Sequence, residues 1–184
     1  MSKVAICMAD GCEEIEGLTV VDVLRRGGME IDMVSISGDP YVTGSHNISF
    51  CADKLISEVN WAEYDGIVLP GGIPGTPNLL ANPEVTDALK LFAAEEKLIA
   101  AICAAPSVLG QVGLLEGKKA TSYPGFAEKM PGCQYQTDAV VRDGNIITSR
   151  GMGTAIAFAL AIVEYFSDCE TAVALGEKFI YHYE

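Results

Sequence analysis

Residues 98–107 read Leu98-Ile99-Ala100-Ala101-Ile102-Cys103-Ala104-Ala105-Pro106-Ser107. The first five form a continuous apolar run, the signature of a strand covered on both faces of a parallel sheet. The character then changes within two residues. Val108-Leu109-Gly110-Gln111-Val112-Gly113-Leu114 continues as a helix, and Pro106 suits its first turn, where the N–H that proline lacks would have no intrahelical partner. Cys103 therefore stands where a strand ends and a helix begins. Such a nucleophile elbow pushes one side chain out over the carboxyl edge of the sheet, and a thiol beside a helix N-terminus is favoured as thiolate. The plainer alternative is an inert core cysteine, since free Cys is among the most buried residue types.

Working outward, Val4 to Met8 reads as a first strand, followed by a helix through Leu18, Val21, Val23 and Leu24 that stops at Gly27-Gly28. Glu30 to Ser37 is a second strand, Tyr41 to Ala52 a short hairpin or side ribbon, and Tyr64 to Pro70 a third strand feeding the loop Gly71-Gly72-Ile73-Pro74-Gly75. Asn82 caps a helix that opens at Pro83 and runs to about Glu96. Beyond the elbow, Lys119 to Ser122 reads as a strand and Pro124 to Met130 as a short helix. A hairpin turns at Asp143-Gly144, and two helices follow, over 154–166 and from a Ser167-Asp168 cap to about Phe179. Strands alternating with helices predict an α/β sandwich around a mostly parallel sheet, one domain over 1–184.

Composition narrows the function. The chain of 184 residues carries 12 basic against 25 acidic side chains, a formal charge of −13. That balance argues against a nucleic-acid footprint. No run approaches the roughly 18 apolar residues of a membrane span, and Asp10 interrupts the N-terminal apolar run too early for a signal peptide. A cytoplasmic location is expected, with the six cysteines reduced. None forms a Cys-x-x-Cys pair, so no metal site is expected.

Three stretches fall at carboxyl ends of predicted strands, where open α/β sheets bind ligands. After the first strand stands Gly11-Cys12-Glu13-Glu14-Ile15-Glu16, whose three carboxylates would repel the phosphates of a dinucleotide. Glu13 and Glu14 suit the helix dipole; Glu16 has a further role only if it faces the cleft. Gly71 and Gly72 either present backbone N–H groups to an oxyanion or form a mere Gly/Pro turn. Cys103 is the third.

Glu13-Glu14-Ile15-Glu16, Val68-Leu69-Pro70-Gly71-Gly72, residues 100–106 and Thr148-Ser149-Arg150-Gly151-Met152-Gly153-Thr154 together resemble the ThiJ/PfpI superfamily. The nearer resemblance is to the branch of the parkinsonism-associated deglycase and its bacterial relatives. It extends in order over nearly the whole chain. It implies a flavodoxin-like sandwich, a homodimer, no cofactor, Cys103 as nucleophile and Glu16 as a protonated carboxyl donating to its sulfur. Backbone around Gly71, Gly72 and Ala104 would form the anion pocket, with Tyr123, His46 and Arg150 as auxiliary candidates. The activities it implies are glyoxalase chemistry on a small reactive carbonyl (methylglyoxal to lactate), deglycation, redox sensing or stress protection through Cys103 oxidation, chaperone action and, in other branches, peptidase or amidase work. The old label of thiamine-precursor synthesis finds no phosphate loop here.

Two positions depart from the pattern. Tyr123 replaces the histidine that many relatives carry before the proline, and a phenol is a poor general base near neutral pH. His46 stands where this branch often has arginine; a histidine reaching the pocket would make anion binding pH-dependent, whereas a solvated loop histidine would not.

Overall fold

The computed structural model describes residues 2–182. The strands are β1 (Lys3–Met8), β2 (Glu30–Ser35), β3 (Tyr41–Thr43), β4 (Ser49–Cys51), β5 (Lys54–Leu55), β6 (Gly66–Leu69), β7 (Leu98–Ile102), β8 (Lys119–Ala120), β9 (Gln134–Tyr135), β10 (Val140–Asp143) and β11 (Ile146–Ser149). The helices are α1 (Glu14–Arg26), α2 (Gly75–Ala81), α3 (Pro83–Ala94), α4 (Pro106–Gln111), α5 (Ala155–Phe166) and α6 (Cys169–Lys178).

Seven strands form the main sheet in the order β10-β11-β7-β6-β1-β2-β5. All pairs are parallel except β10 with β11. Side chains alternate across the sheet with period two, and the core divides accordingly. Val4, Ile6, Met8, Val68, Leu98, Ala100 and Ile102 point to α1, α5 and α6. Ala5, Cys7, Ile67, Leu69, Ile99 and Ala101 point to α2, α3 and α4. Both faces of the sheet are buried, which is why the central strands are apolar at every position and not alternate ones. This is the α/β sandwich with a mostly parallel sheet that the strand–helix alternation predicts.

Local signals act where expected. Asn82 Oδ1 accepts from the N–H groups of Glu84 and Val85, Asp168 caps α6 through Thr171 N, and Pro106 opens α4. The Tyr41–Ala52 stretch is a two-stranded antiparallel ribbon, β3 with β4. The C-terminal hairpin pairs Asp143 with Ile146, so its turn is Gly144-Asn145, one residue later than the sequence suggests. Pro124 to Met130 yields only a 3-10 turn, Ala127–Lys129. The Gly/Pro loop after β6 winds into α2, an element the sequence reading lacks.

The order β7-β6-β1 sets three carboxyl ends side by side. The chain leaves β1 towards β2 on one side and returns to β6 on the other, so the crevice between β1 and β6 is the topological switch point, where such sheets bind ligands.

Candidate active site

Cys103 ends β7 with φ at +64, in the left-handed region that a non-glycine residue seldom adopts. The turn is held from both sides. Its N–H donates to Ser149 O at 3.0 Å, and its carbonyl accepts Tyr123 N–H at 2.7 Å. The next turn is fastened by Ser107 Oγ on Ala104 O at 2.6 Å. These bonds keep the half-buried thiol at the elbow, over the crevice.

Glu16 arrives from the first turn of α1 and is 1% exposed. Gly71 N–H donates to its Oε2 at 2.9 Å, and its carboxyl meets the Cys103 thiol. Residue 71 must be glycine for this approach. A Cβ there would lie 2.6 Å from Cys103 Cβ and 2.7 Å from Glu16 Oε2, well inside contact distance.

Burial pushes the Glu16 carboxyl up to about 7; the Cys103 thiol opposes that rise, the Glu13 charge adds to it and the Gly71 N–H opposes it. Burial likewise pushes the Cys103 thiol up to about 12, with the Glu16 charge and hydrogen bond adding to it and the N–H groups of Ala104 and Gly72 opposing. The helix-terminus argument expects a depressed thiol; burial beside an ionised carboxylate acts the other way and is the larger cause. The contribution of Glu16 reverses once that group is protonated, because a carboxylic acid donates to a thiolate instead of repelling it. Above the Glu16 value the pair holds a single proton, placed either as a carboxylate with a thiol or as a carboxylic acid with a thiolate.

The other predicted residues separate into two groups. Gly72 and Ala104 aim backbone N–H groups at the sulfur, as an anion pocket requires. Gly71 lines the site but spends its N–H on Glu16. Tyr123 is tied to the elbow through its backbone, and its half-exposed ring lies 3.4 Å from where a Cβ on Gly151 would sit. His46 and Arg150 are engaged elsewhere. His46 Nδ1 stands 3.2 Å from Glu14 Oε2, and Arg150 donates to Thr137 O at 3.1 Å.

Glu14 is the residue the sequence reading undervalues. It is buried, and its carboxylate accepts His46 N–H at 2.7 Å and Ile48 N–H at 3.4 Å. Burial would raise its pKa, but these bonds and its own N–H hold it below the ordinary carboxylate value. Its role is to fasten the β3–β4 turn. Glu13, Glu14 and His46 bring one ligand atom each within 4.8 Å of one another, but Glu13 Oε2 caps Glu16 N–H at 2.7 Å and Glu14 is committed to the ribbon. The trio gives no ground for a metal.

An α/β sandwich with a thiol–carboxyl pair at the switch point of its sheet defines the class: a flavodoxin-like fold carrying an elbow cysteine. The chain belongs to the DJ-1/PfpI family, which matches over residues 2–165. It is 41% identical over 180 residues to Protein DJ-1 homolog B of Arabidopsis thaliana, covering 97% of this chain and 41% of that protein's length. It thus spans less than half of that relative. It is 35% identical over 165 residues to Glutathione-independent glyoxalase DJR-1.2 of Caenorhabditis elegans, covering 89% of this chain and 87% of the relative. Oxidised DJ-1 of Toxoplasma gondii superposes with a TM-score of 0.96 at 38% identity, over 100% of both chains. Among the described residues no helix is long and apolar enough to cross a membrane.

Proposed function

We propose that this protein is a cofactor-free, cysteine-dependent enzyme acting on small reactive carbonyls, converting methylglyoxal to lactate. The observation that carries the reading is the contact of Glu16 with the Cys103 thiol at the switch-point crevice. The likeness to a relative named a glutathione-independent glyoxalase supports it.

With the shared proton on Glu16, the Cys103 thiolate attacks the aldehyde carbon. The carbonyl electron pair moves to oxygen, which takes the Glu16 proton to give a hemithioacetal. The N–H groups of Gly72 and Ala104 stabilise the oxygen as its charge develops. Glu16, now a carboxylate, removes the hydrogen from the former aldehyde carbon to leave an enediolate and returns that proton to the neighbouring carbon, while the hydroxyl proton passes from the first oxygen to the second. The product is the thioester of a 2-hydroxy acid. Water then cleaves it to lactate and the free thiol, so the overall change is methylglyoxal plus water to lactic acid.

Lactate formation by purified protein, with Cys103→Ser as the blank, tests this; wild-type formation no greater than the blank overturns it. The fold and the thiol also suit a cytoplasmic homodimer, checked by sedimentation at micromolar concentration.

A second reading, redox sensing, draws on the solved relative described as oxidised. In it, peroxide takes Cys103 to sulfinate, which a protonated Glu16 stabilises by hydrogen bonding. A gain of two oxygens at Cys103 by peptide mass supports that reading, and loss of two hydrogens contradicts it. A peptidase reading is disfavoured by Tyr123 at the position of the relatives' histidine and by the commitment of His46 to Glu14.

A further inference from the structure

Glu13 sits outside the thiol–carboxyl contact yet is bonded both to the Glu16 main chain and to the residue that donates to its carboxyl. Its Oε2 accepts the Glu16 N–H at 2.7 Å, its own N–H donates to Gly71 O at 2.9 Å, and its carbonyl accepts Gly17 N–H at 3.2 Å. Gly71 in turn donates to Glu16 Oε2 at 2.9 Å. A closed ring of contacts results: the Glu13 main chain to Gly71, Gly71 to the Glu16 carboxyl, and the Glu16 main chain back to the Glu13 carboxylate. Residue 71 is thereby held through two successive peptide units, by its C=O and by its N–H, which fixes the backbone donor that orients the Glu16 carboxyl.

A helix cap does not require a charge. Serine, threonine or asparagine would satisfy the Glu16 N–H as well or better. A carboxylate there adds a negative charge within one helical turn of Glu16, opposing a second ionisation nearby. The groups bearing on Glu16 are Glu13 from its own segment, the Cys103 thiol from the elbow after β7 and the Gly71 N–H from the β6 side. Glu13 is bonded directly to the Glu16 main chain, and its charge raises the Glu16 carboxyl. A charge seated on the Glu16 side of the pair favours the proton on Glu16.

We propose that Glu13 is a positioning residue for the thiol–carboxyl pair: it clasps Glu16 to the Gly71 peptide, and its charge biases the shared proton onto Glu16, leaving Cys103 as thiolate. The inference rests on the thiol–carboxyl reading of the site, but not on any particular substrate.

The test is the rate of Cys103 alkylation by iodoacetamide against pH, read by peptide mass, in wild type, Glu13→Gln and Glu13→Ala. Glutamine keeps an oxygen for the Glu16 N–H and removes the charge. Glu13→Gln is expected to melt with wild type, to move the acid limb about half a pH unit lower, and to alkylate roughly threefold more slowly near neutrality. Glu13→Ala should show the same kinetic change with a lower melting temperature. A Glu13→Gln profile superimposed on wild type overturns the proposal and leaves Glu13 a helix cap only. Should Glu13→Gln fail to fold, Glu13→Asp decides. It keeps the charge but shortens the reach, so an unmoved acid limb supports the proposal and a displaced one overturns it. Alkylation needs no turnover, so failure of the glyoxalase reading leaves this test intact.

Discussion

Glu14 and Glu16 are two buried carboxyl groups within the first turn of one helix, and the fold drives them in opposite directions. Glu14 turns to the β3–β4 ribbon, collects backbone donors and is held below the ordinary carboxylate value. Glu16 turns to the crevice, collects a single backbone donor and a thiol, and is pushed up to about 7. Burial is the first cause in both cases. What differs is the supply of hydrogen-bond donors, more numerous around Glu14, and the Glu13 charge that bears on Glu16.

The largest expected effect breaks the comparison on the chemical side. Glu16→Ala should lower methylglyoxal turnover by about 10²- to 10⁴-fold, the usual worth of positioned acid–base assistance. Glu14→Ala should leave turnover per folded molecule within a few-fold. Steady-state kinetics on both variants checks this, and equal losses would erase the distinction.

Stability against pH sharpens it. Folded Glu16 keeps its proton to about 7, while the unfolded chain releases it near 4.5. Its contribution is therefore complete below about pH 4.5 and is lost as pH rises through 7, a change of about 3 kcal/mol. Glu14 has the opposite sign: its contribution is present above the unfolded carboxyl value and disappears as pH falls through the lowered folded one. Urea titrations from pH 4 to 8 should show Glu16→Gln losing the decline that wild type shows towards neutrality.

Glu14→Ala strands the N–H groups of His46 and Ile48 and should cost about 2 kcal/mol at neutral pH, measured by urea unfolding. The damage should centre on the ribbon, because Gly44 is packed directly on the Glu14 side chain with no room for a Cβ. Faster hydrogen exchange over residues 43–49 would locate it there. The smallest effect concerns a second base. If isomerisation needs a base besides Glu16, wild-type turnover is slow and Tyr123→His raises kcat about tenfold, a gain absent in the Cys103→Ser background. A brisk wild type that Tyr123→His slows would give both transfers to Glu16 and leave Tyr123 to shape the cleft.

How much of this was legible in the chain follows from where each signal resides. The apolar run before Cys103 and the proline after it are local, so the elbow and the sandwich could be read directly. The facing of Glu16 could not be read, because both it and Glu14 suit a helix start and only the strand order shows which one meets the sulfur. The helix α2 was illegible for another reason. Gly75, Thr76, Pro77 and Asn78 are poor helix formers, and α2 persists because Leu79 is fully buried and Asn78 donates to Asp10 O at 2.9 Å. The two-residue strands β5, β8 and β9 exist only through partners distant in sequence. The sequence offers Gly71 as an oxyanion donor or a plain turn residue, but its N–H is spent on a carboxyl that only the folded chain brings near.

The left-handed backbone of Cys103 has a consequence for how such a protein can change. At a φ of +64 glycine would be easier by about 1 kcal/mol, so selection for thermal survival alone favours removing the nucleophile of the proposed chemistry. Stability and reactivity are set against each other at a single codon. A library propagated under heat without a carbonyl challenge should drift to glycine at 103, and one kept under that challenge should hold cysteine and accumulate its stabilising changes elsewhere.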